Sequence, residues 1–203
     1  MSQLPVGKKI LLYQGAVNVG RGIEWIMDVM AFLPECHFVV AGVGDEYPRL
    51  KAMSDTMANV TFLGRVEPTV LHALTKKADL GLALLENRGL NYYYSLPNRM
   101  ADYIEAHLPV VATDFPEIHR VVSTYDIGLL VPAVPFDMDK GVSQKPDAAQ
   151  LAQTINDALT LWQSIPLAEK EERFNRAAAD FTWENDKKVL LKQIGTIKTK
   201  NQR

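Results

Sequence analysis

Six short apolar runs, each four to seven residues long, alternate with stretches of helical periodicity over the first 131 residues. Residues 8–14 (KKILLYQ), 36–42 (CHFVVAG), 60–63 (VTFL), 80–85 (LGLALL), 110–113 (VVAT) and 128–131 (GLLV) have the length and composition of buried strands. Between the first two, Ile23, Ile26, Met27, Met30 and Leu33 recur at helical spacing before Pro34, which predicts a helix over 20–33. Further helices are expected over 47–57, 68–77, 97–107 and 117–124. Pro68 sits in the first turn of its helix, where a missing N–H costs nothing. Strands that are apolar throughout and separated by helices build parallel βαβ units, with both faces of the sheet covered.

Residues 133–145 lack a period and read as a loop, as do the polar and aromatic residues 86–94. Helices then follow over 146–162, 167–181 and 183–197. The expected architecture is α/β, a Rossmann-like, doubly wound, parallel six-stranded sheet with C-terminal helices. One domain spans 1–203, its sheet over about 8–132 and its trailing helices over about 146–198.

Composition works by exclusion. Lys and Arg number 22 against 24 Asp and Glu, a formal net charge of −2 that excludes a generic basic nucleic-acid binder. The single cysteine, Cys36, excludes a disulfide framework and a multi-cysteine zinc site, and reads as a small core residue. No run approaches the roughly 18 apolar residues of a membrane span. Residues 1–7 lack the build of a signal peptide, so a cytoplasmic chain without a transmembrane segment is expected.

Ligands of open parallel sheets bind beyond the carboxyl ends of the strands, near the switch in strand order. The loop over 15–22 (GAVNVGRG) lacks the glycine spacing of a dinucleotide fingerprint and the ending of a Walker loop. It does place Gly15, Gly20, Gly22 and Arg21 between a strand and a helix N-terminus, where free N–H groups and a guanidinium attract phosphate. A glycine-rich turn with a solvated arginine has the same pattern.

Residues 94–102 (YSLPNRMAD) say more. Pro97 marks a helix start with Ser95 as its cap. The spacing puts Ser95, Asn98 and Asp102 on one face and Leu96, Met100, Tyr103 and Ile104 on another. A phosphate can meet the amides of Ser95 and Leu96 while Asp102 accepts hydrogen bonds from vicinal hydroxyls, worth about 1.5–3 kcal/mol. An exposed polar helix face fits the same spacing.

Five segments in order carry a family resemblance: LLYQGAVNVGRGIEWI, VVAGVGDEYPRLK, NVTFLGRVEPTVLHALTKKADLGLAL, SLPNRMADYIEAHLPVVATDFPEI and FTWENDKKVLL. Together they make the chain, over about residues 8–194, similar to the C-terminal, nucleotide-sugar-binding half of retaining family-4 GT-B glycosyltransferases. Such proteins transfer a sugar from a nucleotide donor to an acceptor hydroxyl. The resemblance implies that Gly15 lets backbone approach the donor diphosphate and that Arg21 stands for the family's phosphate-binding lysine. Gly64, Arg65 and Val66 then lie against the nucleobase, Ser95 and Leu96 offer amides to the phosphates, Asp102 holds the ribose hydroxyls, and Tyr94 and Asn98 belong to the same donor-binding set. The donor is a UDP-, GDP- or ADP-sugar, and no metal or other cofactor is expected.

The resemblance further implies that the acceptor sits on an N-terminal domain or partner chain missing from these residues. Donor binding without transfer is therefore expected, in an enzyme cytoplasmic or peripheral at the inner membrane face; a homodimer stays open. Three positions depart from the family pattern. The family's paired glutamates correspond to Tyr94 and Asp102, an arginine common after the first glycine is Ala16, and a helix-ending glycine is His107, which predicts positive φ there.

Other motifs read as background. Asp137–Met138–Asp139 spells an Asp-x-Asp metal motif but falls in the 133–145 loop. His37, His72 and His119 share no ligand spacing, and Trp25, Trp162 and Trp183 fall on helices as packing residues. Two other classes remain open: half of a GT-B sugar-nucleotide epimerase, and a non-catalytic Rossmann-like nucleotide-binding or interaction module.

Overall fold

The computed structural model describes residues 5–134, 136–137 and 142–181, together with 185, 187–188, 190–192 and 194. Six strands, β1 (Lys9–Gln14), β2 (Cys36–Ala41), β3 (Val60–Gly64), β4 (Leu80–Ala83), β5 (Val110–Thr113) and β6 (Gly128–Val131), form one sheet in the order β3-β2-β1-β4-β5-β6. Every pairing is parallel. All six fall on the six apolar runs, and the order reverses between β1 and β4. That reversal is the switch point of a doubly wound fold.

Alternation along the strands feeds two cores. Leu11 and Tyr13 of β1 and Phe38 and Val40 of β2 face α1 (Ile23–Val29), α2 (Tyr47–Ser54) and α7 (Ala148–Ser164), which add Ile26, Leu50 and Ile155. Ile10 and Leu12 point the other way, with Leu74 of α3 (Pro68–Thr75), Tyr103 of α5 (Arg99–Glu105), Ile118 of α6 (Pro116–Tyr125) and Phe174 of α8 (Leu167–Asp180). A buried leucine or phenylalanine contributes about 1.5–3 kcal/mol, so both layers are held by area rather than by any one contact. Trp25 is buried in the first core, and Trp162 packs edge-on to Phe174, as their reading as packing residues expected. Cys36 is buried at the head of β2, and burial pushes its thiol pKa up to about 11.

Several boundaries differ from expectation, each for a local reason. Gly20 and Gly22 adopt φ of 82° and 65°, so right-handed helix cannot begin before Ile23. That helix gives way to a 3₁₀ turn over Met30–Phe32. The expected loop over 86–94 contains a one-turn helix, α4 (Leu90–Tyr93). The expected loop over 133–145 contains a small antiparallel pair, β7 (Phe136–Asp137) with β8 (Val142–Ser143). Asp137 thus lies in a strand, whereas Met138 and Asp139 fall outside the described residues. The described positions between 185 and 194 are helical, and Trp183 is outside them.

His107 does take positive φ, at 55°. Its amide and that of Leu108 donate back to Ile104 O and Tyr103 O at 3.1 and 2.9 Å, closing the end of α5. The imidazole stacks on Phe174 of α8 with ring centroids 5.3 Å apart, tying the trailing helices to α5.

His37 lies in β2 with Nε2 2.8 Å from Thr61 Oγ1, and burial lowers its pKa below the ordinary imidazole value. The unfolded chain therefore binds the extra proton first as pH falls, and stability drops below about pH 6.5. His37→Gln, which keeps a partner for Thr61, is expected to lose less stability than the parent between about pH 7.5 and 5.5. Urea unfolding at the two pH values measures the difference, and equal losses in both proteins refute the assignment.

Candidate functional site

At the carboxyl ends of β1, β2 and β3 the backbones interlock. The amide of Gly15 donates to Ala41 O at 3.0 Å, and the amide of Gly42 donates to Gly64 O at 2.8 Å. A Cβ on Gly42 would fall 1.8 Å from Gly15 O, so only glycine lets the β1 and β2 loops touch. Val17 N donates to Val43 O and Glu46 N to Val17 O, both at 3.0 Å, while Asp45 N donates to Asn18 Oδ1 at 3.1 Å. The GVGDE segment therefore serves as the bed on which the GAVN loop lies.

Across the switch point that loop meets the end of β4. Glu86 N donates to Gly20 O at 3.0 Å, and Tyr92 Oη lies 3.4 Å from Val19 O. The Arg21 guanidinium is set over the Tyr92 ring, 5.2 Å from its centroid, and its buried Nε has no hydrogen-bond partner.

A cavity of about 290 Å³ opens between this loop and α5, lined by Gln14, Gly15, Ala16, Arg21, Leu71, Pro97, Asn98, Arg99 and Asp102. A second cavity of about 220 Å³, lined by Gln14, Pro68, Leu71, His72, Thr75 and Asp102, shares Gln14, Leu71 and Asp102 with it. Arg21 also borders a small cleft that has Glu24, Glu46 and Arg49 in its wall. The sequence reading's Gly15, Arg21, Asn98 and Asp102 thus converge on one cavity.

The rest of that reading distributes differently. Gly64, Arg65 and Val66 do not line this cavity; Arg65 is exposed and Val66 packs against the second core. Tyr94, Ser95 and Leu96 do not line it either. Ser95 is not a helix cap, because α5 starts at Arg99 after Asn98 and the Ser95 hydroxyl donates to Tyr92 O at 2.9 Å. Its amide also donates to Tyr92 O, at 3.3 Å, so that N–H is engaged within the α4 turn. Ser95 therefore precedes the helix that carries Asp102, and the helical face expected to join the two does not form. Tyr94 is exposed, its ring edge-on to Tyr93.

Three functional candidates were missed. Gln14, buried at the end of β1, donates from Nε2 to Asp102 Oδ2 at 2.7 Å. The buried Thr75 hydroxyl lies 2.7 Å from Gln14 Oε1 and 2.8 Å from Leu71 O, as donor to this acceptor pair. This relay sets the direction of Asp102. The third is Arg99, 7 % exposed, whose carbon Cζ lies 4.2 Å from the Tyr13 ring centroid and whose Nη2 donates to Tyr13 Oη at 3.2 Å. Tyr13 in turn donates to Ala16 O at 2.6 Å, and burial raises its phenol pKa against the opposing pull of Arg99. A polar residue closing an apolar strand, and an arginine three residues before Asp102, were the available signals.

A parallel sheet of this order, with interlocked glycine loops, a guanidinium and a carboxylate at its switch point, defines a doubly wound, Rossmann-like domain. The chain belongs to the family described as glycosyl transferases group 1, whose model matches residues 8–160. It is 26% identical over 193 residues to a phosphatidyl-myo-inositol mannosyltransferase of Mycobacterium leprae, covering 93% of this chain and 46% of that protein. Among solved structures it resembles sucrose-phosphate synthase from Thermosynechococcus elongatus, with a TM-score of 0.71 at 22% identity, covering 98% of this chain and 47% of that one. HepE of Anabaena, solved in complex with UDP, gives a TM-score of 0.67 at 15% identity, covering 94% and 49%. The chain therefore spans about half the length of these relatives. Among the described residues no helix is long and apolar enough to cross a membrane.

Thr75→Val is expected to cost about 1–3 kcal/mol, because it strands the buried Gln14 carbonyl oxygen without its donor. The exposed His72→Ala in the same helix should change stability by less than about 0.5 kcal/mol. Urea unfolding of the pair checks the relay, and equal small effects refute it.

Proposed function

We propose that the cavity binds the nucleoside diphosphate portion of a UDP-, GDP- or ADP-sugar, in a retaining glycosyltransferase of the family-4 type that transfers the sugar to an acceptor hydroxyl. One observation carries the reading: Asp102 and Arg21 line the same cavity at the switch point, with the Gly15 backbone between strand and loop. A carboxylate aimed by Gln14 suits vicinal ribose hydroxyls, and a guanidinium beside a close-approaching backbone suits a diphosphate. The second cavity, which shares Asp102 and is lined by Pro68, Leu71 and His72, has room for a flat base.

In the transfer step negative charge develops on the departing diphosphate. Arg21, fixed in advance over Tyr92, stabilises that charge without reorganising, which favours the transition state over the bound donor. The guanidinium supplies this charge by itself, so the proposed step uses no metal. The mannosyltransferase and the sucrose-phosphate synthase are about twice as long as this chain, and the reading assigns the acceptor to the part of a longer enzyme, or the partner chain, that completes the cleft. The proposed setting is the cytoplasm, with the complete enzyme free or peripheral at the inner membrane face.

Isothermal titration with UDP, GDP and ADP tests the binding step. At least one should bind, and Asp102→Ala should weaken it about 10- to 100-fold, the range of a charged hydrogen bond. Arg21→Ala should weaken the diphosphate in the same range. Absence of binding by all three nucleotides defeats the proposal and favours an interaction module. Efficient transfer by the chain alone to an added acceptor defeats the separate assignment of the acceptor site.

A further inference from the structure

A guanidinium in a protein wall is solvated, paired with an acid, or set to receive an anion. Arg99 is only 7 % exposed, and no carboxylate among the described residues pairs with it. Its Nη2 uses the Tyr13 hydroxyl, but its buried Nη1 has no hydrogen-bond partner. The nearest acid along α5, Asp102, has Oδ2 occupied by Gln14. A buried cation left like this is destabilising unless an anion completes it. The stacking on Tyr13 recovers only part of that cost.

The position of Arg99 says which anion. Asp102 is shared between the main cavity and the one lined by Pro68, Leu71 and His72, while Arg21 is shared with the small cleft. Arg99 lines the main cavity and neither of the other two. With ribose at Asp102, the first phosphate comes to Arg99 and the terminal one to Arg21. The loop leaves room: Gly15 has no side chain, a Cβ there would be 4.0 Å from Arg99 Nη2, and Ala16 is small. Ala16 stands where the resembling family carries an arginine, so the missing charge returns from the facing helix.

We propose that Arg99 binds the phosphate adjacent to the ribose, making with Arg21 a two-guanidinium grip on the diphosphate. The proposal rests on the nucleoside diphosphate reading of the cavity. Tyr13 is a positioning residue: its ring carries the guanidinium plane, and its hydroxyl links Arg99 Nη2 to Ala16 O of the phosphate-side loop.

Titrating the parent, Arg99→Gln, Arg99→Lys, Arg21→Gln and Tyr13→Phe with the nucleoside, its monophosphate and its diphosphate tests the grip. The base is that of the tightest-binding diphosphate, and NMR shift titration covers the weak nucleoside. Arg99→Gln should leave nucleoside affinity unchanged and lower both phosphorylated ligands about 10- to 100-fold. Arg21→Gln should lower the diphosphate alone. Arg99→Lys should restore part of the loss, and Tyr13→Phe should keep most phosphate affinity because the charge remains. Ligand-free Arg99→Gln should melt no lower than the parent, since a lone buried charge has been removed.

An equal loss of all three ligands in Arg99→Gln, matched by Tyr13→Phe, makes Arg99 a loop support and overturns the assignment. So does a monophosphate affinity that ignores Arg99. If the parent binds no nucleotide, the assignment falls together with the site reading; if it binds and Arg99 is silent, the assignment falls alone.

Discussion

The Tyr103 ring lies flat against β4 in the space that a side chain on Gly81 would fill, its nearest atoms 2.7–2.9 Å from that Cβ position. Its hydroxyl donates to Leu12 O of β1 at 3.0 Å, with Leu82 O of β4 at 3.4 Å. Direct pairing between β1 and β4 is confined to Leu11↔Leu80 and Leu12↔Gly81. The phenol therefore bridges two strands where their ladder is giving out. Burial drives its pKa upward, so the group stays a donor, and a fully buried phenol without such acceptors would be costly. This single side chain sets α5 against the switch point, and with it Asp102 and Arg99.

How far the fold could be read depended on whether its cause was local. Strands were legible because burial on both faces leaves unbroken apolar runs, as at Cys36–Ala41. The start of α1 was not, because left-handed backbone at Gly20 and Gly22 is a property of the loop's path over Leu84 and Arg88, which no periodicity encodes. The β7–β8 pair escaped for a similar reason: two residues per strand leave no pattern. Spacing and family likeness pointed to Asp102 and Arg21, which line one cavity. They missed Gln14 and Arg99, because one ends an apolar strand and the other precedes an apolar helix face. Their roles arise only when Gln14 meets Asp102, 88 residues along.

The charge of the site contrasts with that of the surface. Arg49 pairs with Glu24 and Glu46, and Lys145 with Glu24 and Asp28, at half-exposed positions where water and salt screen most of the attraction. Such pairs use up charge locally and leave the chain near neutral. Arg21 and Arg99 are different, each held by a tyrosine ring and each with a buried N–H unspent. A chain of net charge −2 can thus keep two guanidiniums in one cavity wall without a basic surface.

The contact between Gly15 O and the absent side chain of Gly42 also divides the cleft into two kinds of ground. Where backbone lies on backbone there is no slack, and a single added methyl must move two loops at once. Val19, in the wall of the adjoining cleft, and His72, in that of the second cavity, are exposed instead. Substitutions there leave the seam alone. Diversity in what such a cleft accepts can therefore accumulate along its rim, by changes that cost little folding energy, while the floor keeps its shape.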